Sequence, residues 1–282
     1  MIKLLNCKRD FLPSQPLLIV DRECYKEIKP ISSDIALFYQ FKTNRHSTKS
    51  LSIVPDGCFD VLFCCNPAAP SAIVWTSPLK HSKHDQPNFY LNCEYFGVRF
   101  LPEQNFMKLN YSMKEILNKQ IPLCDAVSID ERIIEVIAAA TSFEERIRLF
   151  KKHMTVPRVS ARYDQNIINF TLHEIYSSKR QLNMKRLSEQ SGYSDRYLRK
   201  KFEEYIGFSP KQFSQIVKFQ SAMKKILLSE DFVLLEVVHE NDYYDQSHLI
   251  KKFKKYTNLT PYQFKELYET KIRNKIMSHS VR

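Results

Sequence analysis

Apolar and polar positions follow two different rhythms along this chain. From about residue 17 to 100 the apolar residues come in short β-branched and aromatic runs broken by Pro and Asn: PLLIV, DIALFYQF, LSIV, CFDVLFCC, AIVW, NFYLNC and EYFGVRF. Runs of that length between turn residues predict several short strands, and hence an antiparallel barrel or sandwich. From 103 to 153 the segments lengthen, with Ile129, Ile133, Ile134, Ile137, Phe143, Ile147 and Phe150 at near-helical spacing. Beyond TVPRVSARYD, which reads as a linker, the pattern to about 272 predicts helices only. The expected organisation is α+β with several domains: a β-domain over 1–125, a helical linker or dimerisation region over 126–157, and an all-α domain over 158–282.

The all-α part repeats itself. Sliding residues 193–213 by 51 positions onto 244–264 matches nine pairs, among them Leu198/Leu249, Phe202/Phe253, Tyr205/Tyr256, Pro210/Pro261 and Phe213/Phe264. A period of that length used twice is a duplicated motif, since a solenoid needs at least three units. In the first copy MKRLSEQS predicts a helix, Gly192 its end, and Ser194 the cap of a second helix, DRYLRKKFEEY. Leu198, Phe202 and Tyr205 form its inward stripe, leaving Ser194, Arg196, Arg199 and Lys200 on the free face with Asp195 as a dissenting charge. The second copy presents Gln246, Ser247, His248 and Lys251 around Leu249, Phe253 and Tyr256. Ser209-Pro210-Lys211-Gln212 and Thr260-Pro261-Tyr262-Gln263 are matching capping boxes that start the helix following each copy. Between the copies an apolar face of Phe213, Ile216, Val217, Met223, Ile226 and Leu227 predicts a helix of about 18 residues, or ~27 Å.

Charge sharpens the picture. The net charge is +12, with 20 basic and 17 acidic residues before position 158 and 23 and 14 from there on, an excess of +3 against +9. A positive excess in the smaller half implies a polyanionic partner, nucleic acid first. Guanidinium groups on a free helix face can bond guanine edges in the major groove, and ammonium groups reach phosphates. With four glycines, no G-x-G-x-x-G or G-x-x-x-x-G-K-[ST] loop can be written. No apolar run approaches the ~18 residues of a membrane helix, and the charged start resembles no signal peptide, so a cytoplasmic protein without membrane contact is expected. Seven cysteines, an odd number without a C-x-x-C pair, fit a reduced compartment.

GYSDRYLRKKF followed by GFSPKQF, then DYYDQSHLIKKFKKYTNLTPYQF, resembles the DNA-binding domain of the AraC/XylS family of bacterial transcriptional regulators over about 163–270. The resemblance implies two helix-turn-helix motifs joined by a long helix. It places base-reading positions at Ser194, Arg196, Arg199 and Lys200 in the first and at Gln246, Ser247, His248 and Lys251 in the second. Double-stranded promoter DNA is the implied partner, with RNA polymerase and a small-molecule effector or homodimer as further ones, and no cofactor. Three positions depart from the family pattern: Ser188 and Val238 stand where it has Ala, and Asp242 where it has Gly, which predicts an altered second turn.

PDGCFDVLF and FGVRF resemble the N-terminal domain of a subgroup of that family, implying a cupin-like β-barrel. On this strand Phe59, Val61 and Phe63 alternate with Asp60 and Leu62, and a buried Asp must be paired. The first expectation is an Asp60–Arg99 pair inside the barrel; the second is that these two residues line an effector pocket. His81, His84 and Asp85 match no dependable metal pattern and are expected to be surface residues. Vicinal Cys64 and Cys65 fit either an oxidant sensor or a core. A sequence-specific transcription factor is therefore the leading expectation. A metal-dependent cupin or cysteine alkyl-acceptor enzyme fused to a DNA-binding module is the alternative, and a sequence-indifferent DNA organiser the third.

Overall fold

The computed structural model describes residues 11, 13–20, 23–32, 34–45, 53–76, 89–154, 163–177 and 182–280. His81, His84, Asp85 and most of the expected linker lie outside the described residues. Six strands form one antiparallel sheet: β1 (Glu23–Ile28), β2 (Ile35–Lys42), β3 (Phe59–Cys64), β4 (Ser71–Thr76), β5 (Glu94–Phe100) and β6 (Gln120–Pro122). Their order is β1-β2-β5-β3-β4-β6, which leaves β1 and β6 at the edges; closure into a barrel is not part of this pairing among the described residues.

β3 is buried at every position, because both faces of the sheet are covered. On one face Phe38, Phe59, Val61, Phe63, Phe96, Val98 and Phe100 meet two helices, α4 (Arg132–Ala139) and α5 (Phe143–His153), through Ile133, Ile137, Phe143, Ile147 and Phe150. The Phe150 ring lies 6.1 Å from Phe38 and Phe63 and 6.4 Å from Phe96. Burying each such side chain contributes about 1.5–3 kcal/mol. Residues 132–153, read from the sequence as a linker or dimerisation region, thus share the sheet's own core. Leu37, Tyr39, Phe41, Leu62, Cys64, Trp75 and Tyr95 form the core of the other face. Arg146 of α5 is buried and donates to Gln40 Oε1 (2.6 Å), Glu94 Oε2 (2.5 Å) and the Ala140 carbonyl (2.8 Å).

The second half is helical: α6 (Tyr163–Ser177), α7 (Met184–Ser191), α8 (Asp195–Ile206), α9 (Pro210–Leu228), α10 (Leu234–Glu240), α11 (Gln246–Thr257) and α12 (Pro261–Ser280). Three short helices belong to the first half: α1 (Pro16–Val20), α2 (Met113–Ile116) and α3 (Leu123–Ala126). α9 is the shared member of the molecule. Its Phe213 and Ile216 pack with α6 and α8, while Phe219, Ala222, Met223 and Ile226 pack with α10, α11 and α12.

The first half reaches α9 directly. Leu17 and Val54 enter the same core as Phe219 and Met223. The buried Gln220 accepts from the Ser14 amide (2.9 Å) and donates to the Pro55 carbonyl (2.8 Å). Gly57, at φ +78°, lies so close that a Cβ there would stand 2.3 Å from the Phe213 ring; both the left-handed backbone and the contact require glycine.

Candidate nucleic-acid interface

Two helix pairs with matching chemistry stand at the two ends of α9. In the first, Asn183 caps α7, Gly192 ends it at φ +74°, and Ser194 starts α8 by accepting from the Tyr197 amide. The Ser188 hydroxyl donates to the Tyr193 carbonyl, so the residue that departs from the family's small Ala fastens the turn. Leu198, Phe202 and Ile206 are buried; Tyr205, expected on that stripe, is only half-buried.

In the second pair, α10 and α11 are joined by 241–245, two residues longer than the 192–194 turn. Asp242 adopts φ +53°, the left-handed conformation for which the family pattern supplies Gly. Lys218 of α9 holds it there, with Nζ 2.9 Å from Oδ2 and 3.3 Å from the carbonyl oxygen. Lys225 of α9 pairs with Glu240, so the strut grips the end of α10 twice. Asp245 caps α11 by accepting from the His248 amide at 2.6 Å. Leu249, Phe253 and Tyr256 are buried as their spacing implied.

The candidate contact residues fall on the open faces. Ser194, Arg196, Arg199 and Lys200 are exposed on α8, and Gln246, Ser247 and Lys251 on α11, with His248 half-buried. The Ser194 oxygen is engaged by its cap, which leaves its hydroxyl hydrogen to donate. Arg199 is held by Asp195, its Nε 2.6 Å from Oδ1, so the dissenting acid shapes the arginine fork along the helix. Hydrogen bonding to Asp195 raises the Arg199 pKa. The two helices differ in charge: α8 carries four cations and three acids, α11 four lysines and no acid. Burial, then Lys252, pushes the His248 imidazole below its ordinary 6.5.

A neighbour not foreseen from the sequence borders the first pair. Lys114 of α2 places Nζ 2.7 Å from Glu203 Oε2 on α8, and the Met113 carbonyl oxygen would stand 3.1 Å from a Cβ at Gly207. Lys114 therefore shares a surface cleft with Asp195, Arg196, Arg199, Lys200, Glu203 and Glu204. A lysine in a four-residue helix 89 positions upstream of its partner leaves no sequence signal of this contact.

Asp60 and Arg99 sit opposite each other on β3 and β5 and are buried, with side chains 0% and 2% exposed. Arg99 donates through Nε and Nη2 to Asp60 (3.1 and 2.9 Å) and through Nη1 to Asp56 Oδ2 (2.8 Å). The Tyr39 hydroxyl and the Gln15 amide supply further donors, to Asp60 at 3.0 Å and Asp56 at 2.7 Å. Burial pushes Asp60 up against the pull of Arg99; the Arg99 guanidinium, which burial alone would lower, is held well above its ordinary value by Asp56 and Asp60. The network closes on itself and continues through Gln15 to the Val54 carbonyl, toward the segment that Gln220 holds.

Cys58, Cys64, Cys65 and Cys93 are buried, with the Cys64 and Cys93 sulfurs 3.2 Å apart. Burial raises the Cys58 thiol, and lifts Cys65 to about 11 and Cys93 to about 12, the reverse of what a cysteine alkyl acceptor needs. Among the described residues no group of three or more His, Cys, Asp or Glu could hold a metal ion. No described helix is long and apolar enough to cross a membrane.

Residues 187–266 match a helix-turn-helix domain family. No match to the chain is found among curated proteins. Three solved structures illustrate the structural likenesses. The C-terminal domain of AraT, a response regulator from Geobacillus stearothermophilus, is 18% identical over 36% of this chain and 84% of its own, with a TM-score of 0.33. The DNA-binding domain of AdpA, a global transcriptional factor in complex with a target DNA, is 17% identical over 38% and 93%, with a TM-score of 0.33. ToxT from Vibrio cholerae strain SCE256, bound to an unsaturated fatty acid, is 9% identical over 83% and 95%, with a TM-score of 0.40.

Proposed function

We propose, from the premise that the C-terminal region is an AraC-type helix-turn-helix domain, that this chain is a sequence-specific DNA-binding transcriptional regulator. The observation that carries the reading is the pair of helices α8 and α11, open on one face and fixed to opposite ends of one 19-residue strut. At 1.5 Å per residue the strut is about 28 Å long, close to the ~34 Å between successive major-groove segments on one side of a duplex.

In this reading Arg196, Arg199 and Ser194 address base edges in one segment, and Gln246, Ser247 and His248 do so in the next. Lys200 and Lys251 anchor phosphates beside them. α11, free of acids, supplies most of the salt-dependent attraction, and α8, with its Asp195–Arg199 pair, most of the discrimination. The sheet and its two covering helices form the regulatory half, cupin-like by its strand content, through which a small molecule or a second copy of the chain would act. RNA polymerase is the further partner that a transcriptional activator of this type implies.

The test is selection of binders by the full-length chain from random duplexes of about 30 base pairs, long enough for two groove segments a turn apart. Two enriched short elements one turn apart support the reading, and enrichment of none by the full-length chain and by residues 158–282 alone, with binding retained at low salt, rejects it. On the selected site Arg199→Ala should cost about 1–3 kcal/mol and on random DNA very little. An equal loss on both would remove Arg199 from the base readers.

A further inference from the structure

We propose that the cleft between the 102–113 segment and helices α6 and α8 is a binding site for a small organic cation, an amine carried on an aromatic or apolar body. The cleft encloses about 440 Å³, within the range that holds a small ligand. It is separate from the Asp56–Arg99–Asp60 network, of which none of the three residues lines it.

Its two walls differ. The first is built from Phe59 and the 102–113 segment, including Phe106, Met107, Leu109 and Met113. Phe59 stacks on Phe100 at 4.9 Å and Phe106 lies 5.8 Å from the same ring, so the wall is fixed to the sheet's core. The second wall is Asp164 and Gln165 of α6 with Lys201, Glu204 and Tyr205 of α8. Here Lys201 Nζ lies 3.0 Å from Asp164 and 3.2 Å from Glu204, one ammonium shared by two carboxylates. Hydrogen bonds to those acids raise the Lys201 pKa well above its usual value, so its charge is permanent and committed.

The chemistry of the ligand follows from that count. A carboxylate ligand would have to compete with Asp164 and Glu204 for an ammonium they already hold. A cationic ligand meets two carboxylates with unused lone pairs, since each ionised carboxylate accepts about four hydrogen bonds. Tyr197 takes one site on Asp164 at 3.2 Å, and Lys200 approaches Glu204 only at 3.9 Å. The remaining lining charge, Lys108, is exposed. The rings of Phe59, Phe106, Tyr111 and Tyr205 add cation–π faces and apolar area. The half-buried state of Tyr205, which its repeat partner Tyr256 does not share, is explained by its place in this wall.

The inference stands independently of DNA recognition, and its test needs no DNA. Calorimetric titration of the full-length chain with naphthylmethylamine and with naphthoate compares one ring system bearing opposite charges. The amine is expected to bind in the millimolar range or tighter and about tenfold more tightly than the acid. Glu204→Lys should abolish or invert that preference, and Asp164→Asn should weaken amine binding without creating acid binding. Far-UV circular dichroism of both variants confirms that they fold; because Glu204 is partly exposed, Glu204→Gln serves as the milder substitute if Glu204→Lys does not fold. Binding of neither probe, equal or tighter binding of naphthoate, or amine binding indifferent to the substitutions at both acids would each overturn the proposal.

Discussion

At the scale of single residues, burial decides what each ionisable group can do. Arg99 is the cation shared by Asp56 and Asp60 in a buried site, so Arg99→Ala leaves buried carboxylates without their cation. It should cost about 3–5 kcal/mol in urea unfolding. Arg99→Lys should recover little, because one ammonium cannot reproduce a fork that serves two acids. The thiols give a second expectation: at pH 8 iodoacetamide should modify the exposed Cys24 well before Cys58, Cys64, Cys65 or Cys93, with the four buried thiols reacting only on denaturation. Asp60–Arg99 was legible in the sequence because an acid inside an apolar strand has to be paired. Asp56 and Gln15 were not, since they join the pair through a turn and an arm that carry no periodicity. Arg146 was equally hidden: within FEERIRLFKKH it reads like the surface cations beside it, and only the fold turns it toward Gln40 and Glu94.

At the scale of elements, the helices of the second half follow from local chemistry. Both capping boxes form, with Ser209 accepting from Gln212 and Thr260 from Gln263, so Ser209→Ala should lower stability by about 1 kcal/mol. The duplication extends beyond sequence identity: Gly207 and Asn258, 51 positions apart, both end their helices in the left-handed conformation. At Asp242 the structure keeps the left-handed conformation that Gly would supply, and the clamp on it carries no sequence signal, because Lys218 belongs to a different helix. In that turn the Tyr243 hydroxyl is buried without a hydrogen-bond partner among the described residues, so Tyr243→Phe should leave stability unchanged or raise it by up to about 1 kcal/mol. His248 gives the pH dependence. Its folded pKa lies below the unfolded value, so the unfolded chain binds more protons near pH 6, and the contribution of His248 to stability is lost as pH falls. DNA affinity should move the other way, rising between about pH 7.5 and 5.5 as the ring, at its base-edge position, gains charge in the negative field of the duplex. Fluorescence anisotropy with His248→Gln should show a flatter profile; an unchanged one would place the ring away from the duplex.

At the scale of the whole molecule, the two halves are joined by particular contacts rather than by the linker alone. Lys114 on Glu203 and Met113 against Gly207 bring the first half to the edge of the α8 face proposed to enter DNA. Lys114→Glu should therefore weaken binding at low salt more than at high salt, as measured by a salt titration of the dissociation constant. This joint was the least legible part of the molecule, since sequence periodicity reports which face of an element is buried and not what buries it. The arm around Ser14 has a consequence for how the chain comes to be folded. Ser14 and its partner Gln220 are separated by 206 positions, so during synthesis at about 5–20 residues per second the arm waits roughly 10–40 s for the helix it must clasp. The first described residues to be made are thus among the last to find their place. Until then Leu17 and Val54 expose the apolar surface later shared with Phe219, and a ribosome stalled before α9 would hold a nascent chain with a sticky end.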